Sequence, residues 1–184
     1  DDFTNLGNRE QLDWFRAEIV KPFDVKFRGR LGLEHSDDKS MRILNRVAQW
    51  TCHGSGYEAD QRHAEIIIEG MGLTQDNAKP VVTPGRKGSV GETGEELDWE
   101  QARAYRGYVA RANYLAQDRS DIQYAVNELS RAMSAATTVW FCWDRLKRLA
   151  RYLVGKPRTA QMFPYQECIS RVHVHTDSDF AGCQ

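Results

Sequence analysis

Asp177 and Asp179 stand two residues apart, directly after the alternating stretch Ser170 to His175 with Val172 and Val174 on one side. At strand spacing, two such residues point to the same face. Paired carboxylates at a strand end are hard oxygen ligands suited to Mg²⁺ or Mn²⁺. In two-metal phosphoryl transfer such ions activate the attacking water and stabilise the leaving oxygen. A third or fourth carboxylate is needed to close a cage of this kind, and none follows. By its own chemistry the pair therefore reads first as a polar turn, with Asp179 making an Asx-type hydrogen bond. Asp1 and Asp2 form a second, adjacent pair, which by position alone is an ordinary polar terminus.

Cations supply the other candidate chemistry. Arg145, Lys147, Arg148 and Arg151 fall opposite the apolar stripe of one helix, Lys156 and Arg158 follow, and Asp144 is the only acid among them. Such a stripe neutralises phosphates without reading sequence, and its affinity falls with salt. The competing reading is a solvated helix face. His173 and His175 are spaced to share a metal, yet read first as solvent-facing partners of Val172 and Val174. Cys52-His53 has no matching pair at zinc spacing. There is no phosphate-binding Gly-x-x-x-x-Gly-Lys loop and no nucleophile elbow.

The elements that must position these residues are legible to different degrees. Asn8 and Gln11 form a capping-box pattern, Leu12, Phe15 and Ile19 continue it as one apolar stripe, and Pro22 ends the helix. Phe23 to Phe27 alternates and predicts a strand. Met41 to Thr51 fits strand or helix, and the turn Gly54-Ser55-Gly56 favours a hairpin or meander. A helix is predicted from about Asp60, burying Ala64, Ile67, Ile68 and Met71 and stopping at Gly72. Residues 74–96 are rich in Gly, Pro and polar residues and read as a long loop.

Three one-sided helices follow. Their stripes are Tyr105, Tyr108, Val109, Ala112, Leu115 and Ala116; Ile122, Ala125, Val126, Leu129 and Met133; and Val139, Cys142, Trp143, Leu146, Leu149, Ala150 and Leu153. Short connections predict antiparallel neighbours in a small bundle. Two strands, Thr159 to Pro164 and Ser170 to His175, are predicted to close the chain.

Composition sets the outer limits. Apolar residues make up 41% of the 184 and charged residues 28%, as expected of a globular chain able to bury a sizeable core. The net charge of -1 gives no global attraction for nucleic acid, so any such case rests on local patches. The four cysteines lie far apart, which argues against a zinc ribbon or disulfide framework and predicts a reducing, intracellular setting. No apolar run reaches the length of a membrane span. The start at Asp1 without Met and the stop at Gln184 read as a piece of something longer.

Several stretches, taken in order, resemble the Pol polyprotein of copia-type long-terminal-repeat retrotransposons. They are Arg42-Ile43-Leu44-Asn45-Arg46, Tyr57 to Glu65, Tyr105-Arg106 through Ala112-Asn113-Tyr114-Leu115-Ala116, Arg119-Ser120-Asp121-Ile122, Leu146 to Leu153 and Thr176 to Cys183. They span nearly the whole chain. Ser120 stands where the family usually has Pro, Phe180 where it has Trp, and the apolar run at Val139 to Cys142 where it has acids at a helix start. These departures suggest a decayed or locally altered copy.

The resemblance implies an α+β chain. Residues 1–73 would be the end of a reverse-transcriptase palm with β-hairpins, including a segment resembling the primer-holding hairpin around Leu44-Asn45-Arg46. Residues 74–95 would be a linker, 96–156 a thumb- and connection-like helical bundle, and 157–184 the truncated start of a ribonuclease H domain. It further implies that Asp1 and Asp2 are polymerase metal ligands and Asp177 a ribonuclease H metal ligand, with Asp179 beside it as a further candidate. Mg²⁺ or Mn²⁺ would be the parent's cofactor. Template-primer or RNA–DNA hybrid would be its partner, held in part by Arg145, Lys147, Arg148, Arg151 and Lys156. Upstream polymerase and downstream ribonuclease H segments would be missing, leaving a stretch that catalyses neither reaction alone. The rival expectation is a non-catalytic nucleic-acid-binding module, or an inert relic, resting on the basic helix 139–154. Binding that weakens with salt, and further on Arg148→Ala and Arg151→Ala, would favour it.

Overall fold

The computed structural model describes residues 3–74, 77–86, 95–133, 140–166 and 171–176. Asp1, Asp2, Asp177 and Asp179 lie outside the described residues, and so does Ser170.

The first helix, α1 (Arg9–Ile19), begins as its capping box predicts. The Asn8 side chain accepts from the Gln11 N–H at 2.9 Å, and Gln11 Oε1 accepts from the Asn8 N–H at 3.3 Å. Its apolar stripe then buries nothing fully, and α1 packs against no other described element. Charges hold it instead. Arg30 pairs with Asp13, Arg9 reaches Asp37 at 3.2 Å, and the Arg16 guanidinium lies 3.8 Å from the centre of the Phe27 ring. The strand predicted over 23–27 does not form. Phe23 and Phe27 stay 65% and 47% exposed and the stretch has no ladder partner, without which an alternating pattern cannot become a sheet.

Sheet formation starts later, with β1 (Ser40–Ile43), β2 (Arg46–Thr51) and β3 (Gly54–Glu58) in an antiparallel meander. Leu44 and Asn45 make the tight β1–β2 turn, both with positive φ (48° and 65°). That is the backbone a two-residue hairpin of matching twist demands. The fourth strand, β4 (Ala160–Pro164), returns from far along the chain to pair with β3, Glu58 opposite Ala160 and Gly54 opposite Pro164. Gly54 is needed there. A Cβ on it would meet the Phe163 carbonyl oxygen at 2.1 Å, and its φ of 151° is one that side chains avoid.

The helical part holds the core. It comprises α2 (Arg62–Gly70), α3 (Trp99–Ala116), α4 (Gln123–Arg131) and α5 (Trp140–Gly155). Ala64, Ile67, Tyr105, Val109, Ala112, Leu115, Ile122, Val126, Leu129, Leu146, Leu149 and Leu153 form one apolar cluster, matching the predicted stripes. Gly72 closes α2 with φ 64°, as expected. Tyr105 is fully buried, so its hydroxyl must find an acceptor, and it donates to the Leu129 carbonyl at 2.8 Å. Burial pushes its ionisation well above the ordinary tyrosine range. Because α2 packs on α3 and α5, residues from both sides of the 74–95 loop share this core. Likewise β4 shares one sheet with β1–β3.

A buried ionic cluster locks the α3–α4 connection to the end of α5. Arg119, 2% exposed, forks onto both carboxylate oxygens of Asp121 at 2.7 and 2.8 Å and reaches the Lys156 carbonyl at 3.1 Å. Tyr152 donates to Asp121 Oδ2 at 2.8 Å. The predicted closing strand is the second correction. Residues 171–176 form no strand, and Val172 and Val174 are 81% and 76% exposed, with no sheet edge alongside among the described residues.

Candidate nucleic-acid interface

The basic residues of α5 do not form one free stripe. Arg148 donates from Nη2 to Thr83 Oγ1 at 2.7 Å and from Nε to the Gly85 carbonyl at 3.2 Å. Arg151 donates from Nε to the Lys79 carbonyl at 2.7 Å. Both guanidiniums thereby fasten the segment 77–86 along the helix, where Pro80 packs close to Gly155. Arg145 is half-buried, with its guanidinium 5.0 Å from the centre of the Phe141 ring. Lys147 is exposed, and Lys156, also exposed, sits 5.5 Å from the Tyr152 ring centre. Arg158 is bound to Glu58 through two 2.7 Å contacts. Those bonds hold the Glu58 carboxyl below its ordinary range, against the opposing effect of its burial.

Sequence reasoning missed a second basic face. It is the outer side of α3, where Trp99, Arg103, Arg106, Gly107, Ala110, Arg111 and Tyr114, with the single acid Glu100 in the first turn, occupy the helical phase opposite Tyr105, Val109 and Ala112. Trp99 is 68% exposed, and the Arg103 guanidinium lies 5.4 Å from its ring centre. Arg103, Arg106 and Arg111 make no ion pair among the described residues. A Cβ on Gly107 would meet nothing within 4 Å, so packing does not require that glycine. The arrangement combines what backbone-tracking nucleic-acid surfaces use: cations for phosphates, aromatic rings for bases or sugars, and small residues that permit close approach. The signal was present in the sequence as the complement of the apolar stripe.

No cage for a metal emerges. Among the described residues no group of three or more His, Cys, Asp or Glu is placed to hold an ion. The carboxylates singled out by sequence, Asp1, Asp2, Asp177 and Asp179, lie outside the described residues. His173 and His175 are exposed within the stretch 171–176. No helix among the described residues is long and apolar enough to cross a membrane.

Comparison with known proteins gives this surface a context. Over 105 residues, 57% of the chain, the sequence is 36% identical to the retrovirus-related Pol polyproteins from transposons RE2 and RE1 of Arabidopsis thaliana. An uncharacterized mitochondrial protein of the same plant is 30% identical over 132 residues, 71% of the chain. The chain spans about 7% of the length of each polyprotein and 52% of the mitochondrial protein. No family model matches the chain, and no solved structure does. Over that aligned stretch the chain is a homologue of the retrovirus-related Pol polyproteins of transposons, the relationship its ordered copia-type motifs imply.

Proposed function

We propose that the chain is a piece of the reverse transcriptase and ribonuclease H region of a retrotransposon Pol polyprotein, one that contacts nucleic acid and catalyses neither reaction by itself. The parent activity would be metal-dependent, template-directed DNA synthesis with hydrolysis of the RNA strand of a hybrid. Identity to two Pol polyproteins supports the origin. The observation that carries the contact is the outer face of α3, where three arginines without ion pairs flank two aromatic rings. Lys147 of α5 and Lys156, just after its end, add exposed charge.

On this reading Asp1 and Asp2 would be polymerase metal ligands and Asp177 a ribonuclease H metal ligand, each site of a kind that needs several carboxylates around its ions. Mg²⁺ or Mn²⁺ would bind such oxygen donors in the parent and there supply charge stabilisation for phosphoryl transfer.

The test is fluorescence anisotropy of the chain with a labelled RNA–DNA hybrid, from about 50 to about 200 mM salt, beside primer-extension and hybrid-cleavage assays with Mg²⁺ or Mn²⁺. We expect binding that weakens steeply with salt and no product in either assay. Turnover abolished by Asp177→Asn would overturn the inactive reading. Absence of binding at low salt would leave an inert relic.

A further inference from the structure

The polar contacts between the sheet and the helices converge on one group of side chains. Arg46 of β2 donates from Nε to Asp118 Oδ2 at 2.6 Å, the Tyr57 hydroxyl of β3 donates to Asp118 Oδ1 at 3.1 Å, and Gln161 of β4 donates to the Asp118 carbonyl at 2.8 Å. The Arg46 guanidinium also lies 5.1 Å from the Tyr114 ring centre on α3. No strand runs beside a helix at backbone packing distance among the described residues, so these side chains carry much of the attachment.

His63 of α2 completes the group. Its ring centre is 4.6 Å from that of Tyr114, and Nε2 is 3.8 Å from Asp60 Oδ2. Nδ1 is buried with no hydrogen-bond partner among the described residues. The His63 side chain is 14% exposed, whereas His35, His53, His173 and His175 are all exposed. The charges around it are mostly positive: Arg62 from α2, Arg46 from β2 and Arg111 from α3. The acid beside it, Asp60, is shared with Arg62 at 3.3 Å, and Asp118 is engaged by Arg46. Tyr57 and Tyr114 are the remaining titratable groups of the cluster.

We propose that this joint is a pH-sensitive latch, in which the sheet stays docked on the helices while His63 is neutral and loosens when His63 takes a proton. An imidazolium has two N–H donors to satisfy, and Nδ1 faces no acceptor. Its new charge would be desolvated beside three arginines. Tyr114 contacts both His63 and Arg46, so a shift of that ring reaches the Arg46–Asp118 pair, and Asp118 is the residue on which three strands converge. Burial draws the His63 pKa below its ordinary value, Asp60 opposes this, and Arg62, Arg111 and Arg46 add to the lowering. The docking contribution is therefore complete above the ordinary histidine value of about 6.5 and declines as pH falls from there toward the lowered value.

Hydrogen exchange of the full chain at about pH 7.5 and about pH 5.5, corrected for intrinsic exchange, tests the latch. We expect opening of β1–β3 to rise measurably, by at most about tenfold, at the lower pH while the α3–α5 core changes less than the sheet does. His63→Phe keeps a ring on Tyr114 but cannot take a proton, and should be flat across this range. An NMR titration of the unaltered chain needs no variant, and should place the His63 midpoint below the ordinary histidine value of about 6.5. Unchanged sheet protection at low pH, sheet and helices opening together, an equal response in His63→Phe, or a His63 midpoint at or above about 6.5 would each overturn the proposal.

Discussion

Arg46 and Asp118, 72 positions apart, meet at 2.6 Å with side chains only 16% and 11% exposed, and through them β2 is tied to the connection between α3 and α4. The geometry makes Asp118 more than one partner of an ion pair. Its carboxylate also accepts from Tyr57, and its backbone carbonyl accepts from Gln161. Asp118→Ala removes the acceptor for two side chains while leaving the backbone contact to β4. We expect a loss of about 1–2 kcal/mol of stability in urea unfolding, with Asp118→Asn costing less because an amide oxygen can still accept. Equal stability of Asp118→Ala and the unaltered chain would remove this pair from the forces that hold the sheet.

Leu149 tests the helical core. It is fully buried in the cluster shared by α2 to α5, and no polar contact complicates its removal. Leu149→Ala should cost about 2–5 kcal/mol, the sum of lost transfer energy and the cavity left behind. The relevant measurement is the denaturation midpoint at constant m-value. A change below about 0.5 kcal/mol would mean that the four helices do not form one cooperative core.

The helices were legible because their apolar positions recur at three and four, and that period needs no knowledge of the partner. Tyr105, Val109 and Ala112 are buried on the face their spacing predicts. The capping box at Asn8 and the stop at Gly72 were legible for the same local reason. Strands were harder, since a strand is stable only against a partner. Phe23 to Phe27 has the alternation but no neighbour, whereas β4 finds its neighbour 100 positions back, marked by the Glu58–Arg158 pair. The hairpin around Leu44-Asn45 was implied by the family resemblance but not by residue type, because leucine seldom adopts positive φ. At the candidate interface, sequence identified the cations of α5 but not what they touch. Arg148 and Arg151 bind carbonyls of a loop more than sixty positions away, which helical phase cannot reveal.

Acid should loosen the lock at Asp121 between the α3–α4 connection and the end of α5. Burial alone would raise this carboxyl, but hydrogen bonds from Arg119 and Tyr152 outweigh it and hold the pKa below the ordinary value. For a carboxylate depressed in the folded state, the stabilisation is complete above the unfolded value of about 3.9 and is lost as pH falls through the lower, folded value. Asp121→Asn should therefore flatten the acid limb of stability below about pH 4 and also lower stability at neutral pH, where Arg119 loses its counter-charge. Circular dichroism of both proteins across the acid range checks this. An unchanged acid limb in Asp121→Asn would assign acid sensitivity to other carboxylates, with Glu58 the first to examine.

Substitution of two arginine sets tests the proposed contact with nucleic acid and which surface would make it. Arg103, Arg106 and Arg111 project from α3 without ion-pair partners among the described residues, so replacing all three with Ala should leave stability nearly unchanged. Each phosphate left without its arginine should reduce the salt dependence of hybrid binding by about 0.7–0.9 in slope, giving about two units or more for the triple change. Arg148 and Arg151 are engaged with the loop 77–86 through bonds of 2.7 to 3.2 Å. Arg148→Ala with Arg151→Ala should therefore lower the unfolding midpoint and free that loop to proteolysis, while changing the salt slope by less than about one unit. The two measurements, slope and midpoint, separate an arginine that meets phosphate from one that holds the fold. Should the α5 pair alter the slope and the α3 triple leave it intact, the interface would move to the helix that the sequence pattern first indicated.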